Sequence, residues 1–273
     1  MEDPFEINRR NWEDRAAIHL RDTTGFYNIA GFLAGEDTLT PIEAAEIGDV
    51  RGKRLLHLQC HFGLDTLSLA RRGAMVTGLD FSPTAIAGAR DLARRADLAA
   101  TFVEGNVYDT PTLAPGPFDI VLTTWGAINW LPDIRRWAEV IATVLAPGGL
   151  FYFADGHPNT LMLDETDGRL VVVSRRPSTP DAPIEDGGGD DDVTYTGDPT
   201  PLDNTASRTW THSLSGILTV LLEAGLVIEM VHEHDAVPWQ FFPMAVRGPD
   251  RLYRLPDGGP KPPLALTVKA RKR

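Results

Sequence analysis

Cysteine is almost absent from this chain: Cys60 is alone among 273 residues. One thiol cannot form an intramolecular disulfide, so the core and its hydrogen bonds must hold the fold, which suits a reducing compartment. Long apolar runs are missing as well. No stretch approaches the roughly 18 consecutive apolar residues of a membrane-spanning helix, and the N-terminus lacks a signal-peptide pattern. A soluble, cytoplasmic protein is the expectation. Positive charge is in short supply: 26 Lys and Arg against 38 Asp and Glu leave a formal net charge of -12 and a pI near 5.0. Such a surface repels phosphate-rich partners, so neither nucleic acid nor a membrane is expected as a ligand. No internal repeat is found.

The richest stretch of the chain is Arg54 to Ser82. Leu55 to Leu58 is a short apolar run with the character of a buried strand, and a sharp loop, Gln59-Cys60-His61-Phe62-Gly63, follows it. Leu64 to Arg72 then carries Leu64, Leu67, Leu69 and Ala70 at helical spacing, and Gly73 stops the helix. A second apolar strand, Met75 to Leu79, ends on Asp80. Strand, loop, helix and strand with an acid at the tip make a nucleotide-type βαβ unit. Asp80 stands seventeen residues after Gly63, near the roughly 20 expected of an acid that accepts from ribose hydroxyls. The loop lacks the G-x-G-x-x-G that lets backbone approach a pyrophosphate. A nucleoside without phosphates therefore fits better than a dinucleotide.

The run Leu56-His57-Leu58-Gln59-Cys60-His61-Phe62-Gly63 resembles the first motif of class I S-adenosylmethionine-dependent methyltransferases, which usually reads close to LDLGCGTG. His57 stands where an Asp is common, and Gln59 and His61 stand where glycines are. The variant is similar to a bacterial subgroup whose strand and loop read LQCHFG. The resemblance extends from about Asn8 to the C-terminus. It implies an α/β fold: a Rossmann-like, mostly parallel seven-stranded sheet with helices on both faces. It also implies residues 1–50 as an N-terminal helical lid, 51–158 as the S-adenosylmethionine-binding core, 159–208 as a cap inserted after the fifth strand, and 209–273 as the rest of the core sheet.

The resemblance carries site residues with it. Trp12, Arg15 and His19, on a helix expected over Pro4 to His19, would face the cofactor, with Arg15 suited to a carboxylate; padding of the sheet edge is the alternative. Gln59, Cys60, His61 and Gly63 would form the cofactor loop. Asp80 with Phe81 and Ser82 would hold the ribose and pack on the adenine, Ser82 also reading as the N-cap of the helix that begins with Pro83. After a third strand, Ala100 to Glu104, Asn106 could accept from the adenine amino group and donate to a ring nitrogen, with Val107 on the ring. Asn106 equally suits a turn. The fourth strand, Phe118 to Thr124, brings Thr123 and Trp125 to the carboxyl edge of the sheet, where ligands bind, and an aromatic face there would attract a sulfonium.

Candidates for the chemistry follow the fifth strand, Leu150 to Ala154. His157 reads as a general base or as a histidine tied to backbone, Asp155 as an orienting acid, and His212 as a second base or a helix-region cap. The linker with Phe26, Tyr27 and Phe32 is expected to roof the acceptor site, and Thr40-Pro41 should start a helix running to about Glu46. Within the cap, Leu170 to Val173 and Val193 to Tyr195 are expected as hairpin strands. The acidic run Glu185 to Asp192 lacks EF-hand spacing and reads as a solvated loop tip. His232, Glu233 and His234 alternate along a strand-like segment without a defined ligand geometry, so no metal is expected.

Together these readings point to methyl transfer from S-adenosylmethionine to nitrogen or oxygen of a small organic acceptor, amine-bearing or neutral, such as a secondary metabolite. The protein would act as a monomer or homodimer. A cyclase, lyase or pericyclase on the same fold, or a nicotinamide oxidoreductase, are the rival readings.

Overall fold

The computed structural model describes residues 2–173, 179–187 and 193–273. The chain opens with three helices, α1 (Pro4–Arg21), α2 (Ile29–Leu33) and α3 (Pro41–Glu46). Strand and helix then alternate: β1 (Arg54–Leu58), α4 (Leu64–Arg71), β2 (Met75–Asp80), α5 (Pro83–Arg95) and β3 (Ala100–Glu104). They continue through α6 (Thr110–Leu113), β4 (Phe118–Thr124), α7 (Ile134–Val144) and β5 (Leu145–Gly156). Four short strands come next: β6 (Leu163–Thr166), β7 (Arg169–Val172), β8 (Ile184–Asp186) and β9 (Ser207–Thr209). The remainder is α8 (Leu214–Glu223), β10 (Leu226–His234), β11 (Ala236–Val237), β12 (Val246–Arg247), β13 (Tyr253–Arg254) and β14 (Ala265–Lys272).

Helix starts follow local chemistry. Asp3 accepts from Phe5 N–H at 3.0 Å with Pro4 at the first helical position of α1. Ser82 accepts from Ala85 N–H at 3.0 Å at the head of α5. Thr40 and Glu43 form a reciprocal capping box on α3, which satisfies donors that would otherwise be orphaned.

Seven strands form one sheet in the order β10-β14-β5-β4-β1-β2-β3. The five from β5 to β3 are mutually parallel, and β14 is antiparallel to both β5 and β10. Because side chains alternate along a strand, the sheet feeds two layers. Leu56, Leu58, Val121, Phe151 and Phe153 pack with Trp137 and Ile141 of α7 and Ile217 of α8. Leu55, Ile120, Leu122, Tyr152 and Ala154 pack with Leu69 of α4 and with Leu39, Ile47 and Val50 on the other face. Purely parallel strands need both faces covered, and both are.

Four local expectations differ from the structure. The 22–40 linker contains α2, begun by Asn28, whose side chain accepts from Gly31 N–H, and steadied by Asp22 accepting from Tyr27 and Ile29. The Leu170 to Val173 segment pairs with β6 instead of with Val193 to Tyr195. That second segment is not a strand: Thr194 and Thr196 bond through their hydroxyls at 2.6 Å, an alternative to ladder bonding that favours a turn. Ile184–Asp186 pairs with Ser207–Thr209 instead. Of the acidic run expected as a loop tip, residues 188–192 lie outside the described residues.

Trp137 is fully buried, with its ring edge-on to Phe151 at 5.4 Å and Phe153 at 5.8 Å. Trp137→Ala should lower unfolding free energy by about 3–5 kcal/mol, read from the shift of the urea midpoint at constant m-value.

Candidate functional site

The strand order reverses between β1 and β4, and in open parallel sheets ligands bind in the crevice outside the carboxyl ends at that point. A cavity of about 470 Å³ lies there, within the 300–1,000 Å³ or so of ordinary ligand sites.

Its first wall is the loop after β1. Gln59 and His61 hold φ of 55° and 51°, and Gly63 a φ of 74°. This left-handed backbone costs a non-glycine residue roughly 1–2 kcal/mol, so the loop keeps a glycine-type conformation at two positions without the glycines. Specific bonds hold it. His61 N–H donates to Asp80 Oδ2 at 2.8 Å, Cys60 N–H to the Leu79 carbonyl at 2.9 Å, and Gln59 Nε2 to the Ala127 carbonyl at 2.9 Å. Gly63 itself cannot change, because an added Cβ would meet the Phe102 ring at 2.6 Å. Among the described residues the buried Gln59 Oε1 has no partner, an orphan acceptor on a residue of the cavity wall. Behind the loop, His61 Nε2 lies 2.9 Å from His19 Nδ1. Burial pushes His61 down to about 3, and burial with the neighbouring His61 pushes His19 down to about 2. Both rings are therefore neutral, one donating to the other.

The second wall follows β2 and β3. Asp80 is buried, and its carboxylate accepts from His61 and Ser82 N–H. Burial raises its pKa to about 6 against those bonds. Phe81, Asn106 and Val107 complete this side. The Asn106 amide oxygen accepts from Tyr108 N–H at 3.0 Å, so it caps a turn, which is the plainer of its two expected roles.

The third wall is the loop after β4, and Asp155 fixes it. Its carboxylate accepts from Gly126 (2.7 Å), Ala127 (3.1 Å), Ile128 (3.2 Å) and its own neighbour Gly156 (2.7 Å). A carboxylate committed to four backbone donors is an anchor for Trp125 to Trp130, which corrects its expected role in orienting a base or acceptor. His57 ties β1 to the same region, with Nδ1 2.9 Å from Thr66 Oγ1 and Nε2 2.9 Å from Thr124 Oγ1. Its burial holds the pKa near 4, hence neutral.

Of the residues expected at the cofactor, Trp12, Arg15, Gln59, Cys60, His61, Gly63, Asp80, Phe81, Asn106, Val107 and Trp125 line this one cavity. His19, Ser82 and Thr123 do not. His19 stands behind His61. Ser82 is spent on capping α5 and on Glu13. Thr123 points into the sheet's packing one residue before Thr124, whose alternate direction reaches the wall.

The two histidines separate. His157 is not part of the wall: its Nδ1 accepts from Asn159 N–H, and its Nε2 lies 2.9 Å from a Glu233 carboxylate oxygen, off the hydrogen-bond line. It serves the turn after β5, which corrects the expectation of a base. His212 does line the cavity, but its Nε2 donates to the Leu131 carbonyl at 2.8 Å.

Sequence reasoning gave no role to the groups that complete the wall. Thr38, Asp65, Tyr195, Arg247 and Arg251 join Tyr27, Trp239 and Phe241 there. Burial raises Asp65 to about 6, opposed by the Thr38 hydroxyl bonded to it at 2.9 Å and by the Arg251 charge. Glu43, just behind, accepts from Trp125 Nε1 at 2.5 Å and is raised by burial to about 8. An acid in the first turn of a helix, as Asp65 is in α4, ordinarily reads as a dipole partner, so nothing in the sequence singled it out.

This fold is shared by solved S-adenosylmethionine-dependent methyltransferases. Residues 56–153 match the family described as Methyltransferase domain. Among curated relatives, the ubiquinone biosynthesis O-methyltransferase of Cronobacter sakazakii is 32% identical over 111 residues, 41% of this chain and 45% of that protein. The protein of the same name from Photorhabdus laumondii is 32% identical over 155 residues, 55% of this chain and 62% of its own length. This chain thus spans about half the length of the curated relatives it matches. The crystal structure of an S-adenosylmethionine-dependent methyltransferase from Mesorhizobium loti shares the fold, with a TM-score of 0.61 at 23% identity, covering 88% of this chain and all of that one. Among the described residues no helix is long and apolar enough to cross a membrane.

Asp155→Asn keeps the shape but turns a four-fold acceptor into a group with its own donors. It should cost roughly 2–4 kcal/mol, read by denaturant unfolding, and loosen residues 125–130, read as faster amide exchange there than elsewhere.

Proposed function

We propose that the chain transfers a methyl group from S-adenosylmethionine to oxygen or nitrogen of a small organic acceptor. One observation carries the reading: the Asp80 carboxylate and the left-handed Gln59–Gly63 loop face a single cavity at the sheet's switch point. The cofactor, when bound, supplies an electrophilic methyl on a sulfonium, open to in-line displacement.

The residues present suit that molecule. A carboxylate offers about four acceptor sites, and backbone N–H groups take two of Asp80's, leaving room for two ribose hydroxyls. The orphan Gln59 Oε1 suits an ammonium, and Arg15 of the same wall suits a carboxylate. Phe81 and Val107 flank the base, with the Asn106 amide nitrogen as a donor to a ring nitrogen. The faces of Trp125 and Trp130 suit a positive sulfur.

On the acceptor side, Tyr27, Trp239 and Phe241 make a wall for a flat apolar molecule. The relatives from Cronobacter sakazakii and Photorhabdus laumondii are named as O-methyltransferases, which supports oxygen as the receiving atom. Displacement needs alignment and exclusion of water more than it needs a catalytic group. A hydroxyl acceptor must also lose a proton, and Asp65, with a pKa near 6, is the wall carboxylate suited to take it. We infer a soluble protein without nucleic-acid partners from its net charge of -12.

Calorimetric titration with S-adenosylmethionine, S-adenosylhomocysteine and NADH tests the cofactor. Both adenosyl ligands should bind, NADH should not, and Asp80→Ala should weaken binding by at least about 10-fold, the loss of roughly 1.4 kcal/mol. NADH binding alone, or an unchanged Asp80→Ala, would sink the reading. The bound ribose needs the ionised carboxylate, so affinity should rise from pH 5 and level off above about 7, as Asp80 ionises near 6. In the unliganded protein the sign reverses. A raised Asp pKa favours folding at low pH, and that contribution is lost as pH climbs from about 4 through 6. Once an acceptor is found with labelled methyl, Asp65→Asn should lower kcat by about 100-fold or more while S-adenosylmethionine affinity stays put.

A further inference from the structure

A second cluster of ligand-type side chains sits at the free edge of the seven-stranded sheet, away from the cavity. His232 and His234 lie two residues apart on β10, so strand alternation puts both imidazoles on one face. The carboxylate beside them is not the neighbouring Glu233, which reaches His157 instead. It is Glu46, the last residue of α3. Glu46 Oε1 is 2.8 Å from His232 Nδ1 and 3.6 Å from His234 Nε2, and one ligand atom from each residue falls within 4.8 Å of the others.

The charge balance of this cluster is unusual. The Glu46 side chain is only 12% exposed, and among the described residues its ion-pair partners are these two imidazoles. Its other oxygen accepts from the Tyr152 hydroxyl at 3.0 Å. A carboxylate so withdrawn from water, with no lysine or arginine at ion-pair distance among the described residues, calls for a compensating cation. Three ligand atoms each about 2.0–2.1 Å from one ion stand roughly 2.9–3.4 Å apart in octahedral or tetrahedral geometry. The two distances from Glu46 bracket that range, and all three ligand atoms lie within 4.8 Å of one another, so rotation of the two imidazoles toward the ion completes the site.

We propose that Glu46, His232 and His234 bind one divalent transition-metal ion of the zinc type, which clips α3 to the sheet edge. Two imidazoles and one carboxylate select zinc, cobalt or nickel over magnesium or calcium. Water fills the remaining positions. The Tyr152 hydroxyl orients the carboxylate from its second oxygen, as outer partners of metal ligands do. Thr267 Oγ1, 3.0 Å from His234 Nε2, gives up that bond to the ion. The clip also reaches the cavity wall, because α3 carries Glu43, the partner of Trp125 Nε1.

The test uses the full chain, free of any histidine tag and stripped with chelator, titrated with Zn2+ by calorimetry and with Co2+ by visible absorption. One ion per chain should bind, with cobalt d–d bands, a rise in Tm on adding zinc, and no displacement by excess Mg2+ or Ca2+. His232→Ala, His234→Ala and Glu46→Gln should each weaken Zn2+ binding at least about 10-fold. His232 is 55% exposed, so its replacement keeps the fold, checked by circular dichroism and by unchanged S-adenosylhomocysteine binding. Absence of stoichiometric binding, displacement by magnesium, or equal Zn2+ affinity in His232→Ala would overturn the site.

Discussion

The pairing of β1 with β4, Leu55↔Ile120 through Leu58↔Thr123, is the constraint on which the rest depends. It seats the first and fourth strands side by side, while the connections that follow them lead away to different parts of the sheet. Their carboxyl ends therefore open a crevice that no helix fills. The walls of the cavity are arranged around that gap: the loop after β1, the acid ending β2, the turn after β3 and the tryptophan loop after β4. The alternation of side chains that feeds two hydrophobic layers leaves only the strand tips to carry chemistry.

Buried carboxylates give those tips their shape. Asp80 holds the first loop through His61 N–H and itself lines the cavity. Asp155 holds the fourth loop through three of its backbone donors. Glu43 takes the indole N–H of Trp125 from behind. Each acid is withdrawn from water and offset by hydrogen bonds, which is how a rim of irregular backbone stays in one conformation. The neutral histidines play the companion part. His57 crosslinks β1, α4 and β4 through two threonine hydroxyls, and His61 leans on His19 where a smaller residue would leave space. The substitutions that make the first motif unusual are thus internally consistent: two left-handed positions without glycine, held by bonds that glycine would not need.

Much of this was legible in the residues. The Arg54 to Ser82 segment announces a βαβ unit because strand, helix and acid lie close in sequence and each has its own local signal. The cavity role of Trp12 and Arg15 followed from resemblance alone, since a lone aromatic on a helix usually means packing. What stayed hidden were pairings between distant segments. Asp155 looks like an acid at a strand tip, and only the fold shows that its four donors include Gly126 to Ile128. His157 looks like a base, and only the fold turns it toward Glu233. Glu46 stands 186 residues before His232, so no spacing rule could join them. The short strands after β5 failed for another reason: an apolar run such as Leu170 to Val173 does not say which partner it takes, and threonine hydroxyls drew Val193 to Tyr195 into a turn.

A crystal structure of the protein with S-adenosylhomocysteine tests most directly whether the crevice at the β1–β4 junction is the cofactor site. The ribose hydroxyls should lie on the Asp80 carboxylate, the amino-acid end against Gln59 and Arg15, and the sulfur should face the cavity space walled by Trp125, Trp239 and Phe241. A ligand bound elsewhere on the molecule, or one in the crevice with its ribose away from Asp80, would contradict that assignment.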